Sequence, residues 1–163
     1  MIKQLYILFL FTTLVSFGQE KKKHQDFNTM LKTLLSHTVK EVQPEDCNTN
    51  NITYLDAREL QEYNVSHLNN AIWCGYNNFK IKKLKDIDKN SKIVVYCTVG
   101  YRSEKVTEKL EKAGFTNVSN LYGGIFAWVH ANKKVYNKKG ETKNIHTYDK
   151  NWSTWLKTGQ GIY

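Results

Sequence analysis

The sequence predicts an α/β fold, in which a small parallel sheet of five strands has helices on both faces and a short C-terminal extension follows. Two observations carry this prediction. Short apolar, β-branched runs alternate along the chain with segments of helical periodicity. The 163 residues, 40% of them hydrophobic, are enough to bury the core of one domain of ordinary size.

The first 36 residues are expected to precede this domain. Residues 1–18 are interpreted as a secretory signal peptide, because Lys3 comes before an almost entirely apolar run and Gly18 suits a cleavage site. The apolar run is short for a membrane span, which needs about 20 apolar residues. The alternative to a cleaved signal peptide is an uncleaved N-terminal anchor. We therefore expect a periplasmic protein without stable membrane insertion. Residues 19–36 are expected to form an N-terminal helical segment, because apolar residues recur there at helical spacing.

The predicted domain covers residues 37–132. Its strands are expected where β-branched and apolar residues cluster, near Val39–Val42, Ile52–Leu55, Ala71–Trp73, Ile93–Tyr96 and Val118–Leu121. Its helices are expected near Glu59–Tyr63, Phe79–Leu84, Ser103–Ala113 and Ile125–His130. Ligands of such sheets bind beyond the carboxyl ends of the strands, which is where Asp56 and Cys97 fall.

Residues 133–163 form the predicted extension. Residues 135–142 are typical of a small hairpin, with residues 137–140 as its turn. A short amphipathic segment follows, formed by Trp152, Trp155 and Leu156. We expect these aromatic side chains to dock on the domain. A wall of the active-site mouth or a partner-binding patch is the alternative.

The most informative stretch of the chain runs from Tyr96 to Arg102. Cys97 comes where a buried strand ends and a helix begins, and Gly100 allows the backbone between them to curl around the sulfur. The N–H groups of such a loop, the helix N-terminus and the Arg102 cation stabilise a thiolate over a thiol. The pattern predicts a nucleophilic cysteine in an anion cradle. The alternative is a small buried hydrophobic residue.

The use of arginine supports an anion site. Arg58 and Arg102 are the two arginines among 24 basic residues, and the planar guanidinium fork suits anion binding better than lysine does. We expect Arg102 to orient an anionic substrate. Arg58 is expected either to reach the same anion or to pair with Asp56. Asp56 itself is expected to be structural, as a cap for the helix that follows.

The stretch from Cys97 to Arg102 resembles the C-x-x-G-x-R active-site loop of the rhodanese-like sulfurtransferases. The resemblance covers about residues 39–128. Residues 54–59 resemble the family's L-I-D-V-R-E segment, residues 62–72 its E-Y and G-H-I-x-G-A segments, and residues 113–128 its A-G-F-x-N-V-x-x-L-x-G-G-x-x-A-W segment. Ser66 and Asn70 depart from this pattern, because glycine is usual at both positions.

The resemblance implies sulfur transfer without a cofactor or metal. Cys97 is expected to take the outer sulfur of a small anionic donor such as thiosulfate and to pass it to a thiol or protein acceptor. The resulting persulfide is expected to be held by the backbone N–H groups of Thr98, Val99, Gly100, Tyr101 and Arg102. The resemblance also implies that Arg58 lies near the rim of the site and that His67 orders a turn by a hydrogen bond.

Two other functions remain open. A rhodanese-like module can carry sulfur, sense redox state or bind a protein without much turnover. A phosphatase or arsenate reductase of the same fold needs a C-x5-R loop, one residue longer than the loop from Cys97 to Arg102. That difference argues against oxyanion chemistry.

The other cysteines and the charge predict no further site. Cys47 and Cys74 either pair in an oxidising compartment or stay buried free thiols, and we favour free thiols because nothing in the sequence brings them together. The five histidines show no metal-ligand spacing. The formal net charge of +9 comes from scattered lysines, which favours a solvated basic surface over a nucleic-acid site.

Overall fold

The computed structural model describes residues 26–49 and 51–163. Helix α1 is described over residues 26–34, where the apolar spacing predicts a helix. A second compact unit begins at Leu35 and contains the sheet. The predicted signal peptide, residues 1–18, lies outside the described residues. Among the residues that are described, no helix is both long and apolar enough to cross a membrane.

A five-stranded parallel sheet forms the centre of the second unit. Its strands are β1 (Glu41–Val42), β2 (Thr53–Asp56), β3 (Ile72–Trp73), β4 (Ile93–Tyr96) and β5 (Val118–Leu121). They lie in the order β1-β5-β4-β2-β3, and all four pairings are parallel. The predicted fold class is confirmed. All four residues of the central strand β4 are buried, because strands of a covered parallel sheet contact apolar neighbours on both faces.

The helices of the domain are α2 (Leu60–Val65), α3 (Tyr101–Lys112) and α4 (Gly124–His130). Helix α3 begins two residues before the predicted start at Ser103, because Gly100 adopts a left-handed conformation and is the N-cap. The predicted helix at residues 79–84 is wrong in type. It is a short 3-10 turn over Ile81–Leu84 that buries only Leu84, so packing does not support a longer helix.

One hydrophobic cluster joins β2, β4, β5 and α3. Its large members are Leu55, Leu84, Ile93, Val95, Val106, Leu110, Phe115 and Val118. Cys74 and Cys97 belong to this cluster as well. All three cysteines are free and buried, so Cys47 and Cys74 are not paired. Burial raises the pKa of the Cys74 thiol to about 12 and also raises that of Cys47, so both favour the neutral thiol.

The C-terminal extension contains two small sheets. The predicted hairpin is present as antiparallel β6 (Val135–Asn137) and β7 (Gly140–Thr142). A parallel pair that the sequence analysis did not predict follows, formed by β8 (Asn144–His146) and β9 (Gln160–Ile162). Helix α5 (Lys150–Ser153) lies between these two strands. Trp152 and Trp155, on and just after α5, are half-buried.

The extension is attached to helix α2. Strand β8 packs against α2, and the Asn137 side-chain amide donates to the Val65 carbonyl at 3.3 Å. His67 and Tyr136 exchange two backbone hydrogen bonds of 2.8 Å. The extension therefore contacts the helix that, as described below, supports the candidate site.

Candidate active site

Cys97 lies at the carboxyl end of β4, directly before the loop that leads into α3. Its Sγ accepts a hydrogen bond from the Gly100 N–H at 3.2 Å. Gly100 has a φ of 108°, a left-handed conformation that favours glycine. Helix α3, whose N-terminus carries a partial positive charge, begins at Tyr101, four residues after Cys97. Of the predicted cradle, the Gly100 N–H contacts the sulfur, and Cys97 is 1% exposed.

The N-terminus of α4 supports the loop from the other side. The Ile125 N–H donates to the Cys97 carbonyl at 2.9 Å, and the Phe126 N–H donates to the Thr98 carbonyl at 3.2 Å. Gly124 permits this approach, because a Cβ there would lie 2.3 Å from the Cys97 carbonyl oxygen. Sequence reasoning gave Gly124 no role, although the Gly123-Gly124 pair directly after a strand is a signal of close backbone approach.

Arg102 forms an ion pair with Glu62 of α2. Its Nη1 donates to Glu62 Oε2 at 2.7 Å, and its Nη2 donates to Glu62 Oε1 at 2.8 Å and to Thr98 Oγ1 at 2.9 Å. The guanidinium fork that was expected to orient a substrate anion is therefore occupied by Glu62. This corrects the expected role of Arg102. Sequence reasoning did not select Glu62; its signal is the Glu59–Glu62 spacing of a capping box, which the structure contains.

The Glu62–Arg102 pair is electrostatically coupled to the nucleophile. The Glu62 side chain is 1% exposed and that of Arg102 16%. Burial alone raises the pKa of Glu62, but the hydrogen bonds and charge of Arg102 outweigh burial and hold it below 4.5. Burial lowers the pKa of Arg102, but the hydrogen bonds and charge of Glu62 outweigh burial and help to raise it. The effect of Arg102 on the ionisation of Cys97 stays a prediction, and the Arg102 fork is occupied by Glu62.

The remaining side chains of the Cys97 loop differ in their exposure and contacts. Thr98 and Val99 are buried, whereas Tyr101 is exposed at the start of α3. The Thr98 hydroxyl donates to Glu62 Oε1 at 3.1 Å, so it helps to hold the Glu62–Arg102 ion pair in place.

Arg58 is not a substrate-binding residue, and that expectation is wrong. It is 0% exposed, and its Nη2 donates to Asp56 Oδ2 and to the Ser66 carbonyl, both at 2.6 Å. Arg58 Nη1 has no hydrogen-bond partner among the described residues, but the complete burial of the side chain keeps it out of reach of a donor in solution. Asp56 is structural, as expected, but it accepts the Arg58 N–H at 2.9 Å and does not cap α2, whose N-cap is Glu59.

His67 orders the turn between α2 and β3. Its Nδ1 lies 3.0 Å from the Tyr63 carbonyl oxygen, and the two rings stack with centroids 4.1 Å apart. These contacts give His67 the turn-ordering role that the sequence analysis expected.

The fold and the site together define a class of protein. A nucleophile loop of C-x-x-G-x-R form lies at the carboxyl end of a central parallel strand, and its arginine is held by a carboxylate. The family model of the Rhodanese-like domain matches residues 38–131, more than half of the chain. The chain therefore belongs to the rhodanese-like domain family.

Curated relatives match the same region. A tRNA uridine(34) hydroxylase of Aster yellows witches'-broom phytoplasma is 36% identical over 99 residues, and one of Buchnera aphidicola is 40% identical over 86 residues. These alignments cover 58% and 50% of this chain but 30% and 26% of the relatives. The chain thus spans less than a third of the length of these proteins.

Solved structures share the fold. The rhodanese-like domain of an Anabaena protein superposes with a TM-score of 0.55 at 22% identity, covering 60% of this chain and 78% of that one. A thiosulfate sulfurtransferase of Pseudomonas aeruginosa gives a TM-score of 0.56 at 19% identity, covering 72% of this chain and 23% of that one. At these identities the likeness establishes the architecture alone.

Proposed function

We propose that the protein is a sulfurtransferase that moves sulfane sulfur from thiosulfate or a related donor to a thiol or protein acceptor through a Cys97 persulfide. The observation that best supports the proposal is the Gly100 N–H bonded to Cys97 Sγ at the N-terminus of α3. Membership of the rhodanese-like domain family agrees with it.

The proposed cycle consists of two sulfur transfers. The Cys97 thiolate attacks the outer sulfur of thiosulfate, the S–S bond of the donor breaks, and sulfite leaves with the bonding electrons. The Gly100 N–H and the α3 N-terminus stabilise the anionic persulfide that forms. An acceptor thiolate then attacks the outer persulfide sulfur and releases the Cys97 thiolate. The two half-reactions balance without an external oxidant or reductant.

The first test replaces the nucleophile. Cys97→Ser is expected to abolish thiosulfate:cyanide sulfur transfer and to remove the added mass of one sulfur atom from the donor-treated protein. Cys47→Ser and Cys74→Ser are matched controls and should keep most of the activity, because burial raises the pKa of both thiols. Steady-state kinetics and intact-protein mass spectrometry measure these outcomes. Activity retained by Cys97→Ser contradicts the mechanism.

A second candidate function is sulfur carriage or sensing with little turnover. The enclosure of Cys97, which is 1% exposed, favours it, because an enclosed sulfur exchanges slowly with bulky partners. Sulfite release distinguishes the two functions. A transferase releases sulfite continuously while an acceptor is supplied, whereas a carrier releases one equivalent for each Cys97.

Two further activities serve as specificity controls. The loop from Cys97 to Arg102 is one residue shorter than C-x5-R, and Glu62 occupies the Arg102 fork, so we propose no hydrolysis of aryl phosphates.

The tRNA substrate in the relatives' names belongs to much longer proteins. For this chain, with its scattered lysines, we propose no nucleic-acid partner, and retention of tRNA in a gel-shift assay tests that proposal.

A further inference from the structure

The segment that follows β8 reaches the rim of the Cys97 loop. The Tyr148 ring lies beside the Arg102 guanidinium, whose carbon is 5.8 Å from the ring centre. Arg102 closes the loop that begins at Cys97, and β8 packs on α2, the helix that carries Glu62. Residues 146–148, called here the rim turn, therefore lie next to the Glu62–Arg102 pair.

The charged side chains of the site affect the pKa of His146 in the rim turn. Burial lowers the pKa of His146; the Glu62 carboxylate opposes this shift, and the Arg58 and Arg102 cations add to it. His146 Nδ1 also accepts the Tyr148 N–H at 3.0 Å. The electrostatic coupling and the ring contact independently place the rim turn at the candidate site.

The rim turn is firmly held, yet it keeps an aromatic side chain at the surface. Thr147 is buried, and its N–H donates to the Ile162 carbonyl at 2.7 Å. Tyr148 has a φ of 70°, in the left-handed region that bulky residues avoid. Its side chain is 59% exposed, so little burial offsets the strain. A strained residue held exposed beside a nucleophile loop indicates a ligand contact.

On the basis of the sulfur transfer proposed above, we propose that Tyr148 is a specificity-determining contact that binds the apolar or planar body of a small organic thiol acceptor. Packing of such an apolar or planar group against the aromatic ring makes binding of the acceptor more favourable. Cyanide and thiosulfate have no carbon skeleton large enough to use it. The loop N–H groups thus bind the sulfur, while the ring distinguishes acceptors by their carbon skeleton.

The test uses two substitutions and two acceptors. Tyr148→Asn removes the ring and suits the left-handed backbone, in which asparagine is enriched. Tyr148→Phe keeps the ring and is the matched control. The ratio of kcat/KM for benzyl mercaptan to that for cyanide is expected to fall about three- to tenfold in Tyr148→Asn and to persist in Tyr148→Phe. Urea denaturation should show that Tyr148→Asn is at least as stable as the native protein.

Two outcomes overturn the proposal. An unchanged acceptor ratio in Tyr148→Asn shows that the ring does not contact the thiol. A lower stability of Tyr148→Asn together with an equal loss of activity on both acceptors assigns Tyr148 a structural role instead.

A second measurement does not depend on sulfur transfer. Peptide mass spectrometry follows alkylation of Cys97 by benzyl bromide and by iodoacetamide, and the ratio of the two rates should fall in Tyr148→Asn. If the native protein transfers no sulfur but this ratio falls, the proposed function fails and the aromatic contact stands. If sulfur is transferred and both ratios are unchanged, the contact alone fails.

Discussion

Gly124 determines how closely α4 approaches the Cys97 loop. Its φ is 55°, and an added Cβ would lie 2.3 Å from the Cys97 carbonyl oxygen and 2.6 Å from that of Thr98. Gly124→Ala is therefore expected to combine backbone strain with a clash against main chain, and to lower the free energy of unfolding by about 2–4 kcal/mol. Sulfur transfer should fall as well, because the clash displaces Cys97. Urea denaturation and kinetics on the same preparation measure both effects.

Gly140→Ala is the matched control for this substitution. Gly140 also has a positive φ, 115°, but among the residues that the structure describes no atom lies within 4 Å of an added Cβ. Alanine there should cost about 1 kcal/mol of backbone strain and leave the activity intact. If the two variants lose equal stability, the loss in Gly124→Ala comes from backbone strain alone and not from a clash with the Cys97 loop.

At the scale of elements, helix α2 is joined to the loop through Glu62. Glu62→Gln leaves Arg102 without its anionic partner in a largely buried position, which should cost about 2–4 kcal/mol of unfolding free energy near neutral pH. The folded pKa of Glu62 lies below 4.5, so its contribution to stability is present above that pH and is lost as the pH falls through the folded pKa. The difference between native protein and variant should therefore shrink in acid, as measured by urea denaturation across pH.

An exposed ion pair of the extension provides the comparison. Glu141 pairs with Lys134 at 2.7 Å, and both side chains are at least half exposed. Glu141→Gln should leave the free energy of unfolding almost unchanged at any pH, because water screens such exposed pairs. If Glu62→Gln is as stable as Glu141→Gln, the Glu62–Arg102 pair does not stabilise the site.

The elements that the sequence predicted are those with a strong local pattern. Strand β4 is an apolar run that ends at a cysteine, and α3 follows a glycine with apolar residues at helical spacing, so both were predictable within two residues. The Glu62–Arg102 pair joins residues 40 positions apart, and β8 pairs with β9 across a connection that contains α5. Neither leaves a periodic signal, because each depends on tertiary contact alone.

At the scale of the whole molecule, the extension is expected to unfold together with the sheet. Ile145 and Thr147 are fully buried, and β8 packs on α2. Amides of residues 145 and 147 should therefore open with a free energy within about 1 kcal/mol of that for the central strand β4. Native-state hydrogen exchange at increasing denaturant measures this, with the exposed turn residues Lys138 and Lys139 as fast-exchanging controls. Protection of the extension that disappears well before that of β4 would show a separate unit.

The enclosure of Cys97 also determines how the protein is damaged by oxidants. A sulfur that is 1% exposed should react more slowly with a bulky disulfide than with hydrogen peroxide, which is small enough to reach it readily. Cys74 cannot rescue the sulfenic acid, because β2 lies between β4 and β3 and two strand spacings, about 9.6 Å, exceed disulfide reach. We therefore expect peroxide to form no Cys74–Cys97 cross-link. Where no other thiol is supplied, the sulfenic acid should proceed to the irreversible sulfinic acid, a change that a non-reducing gel does not reveal.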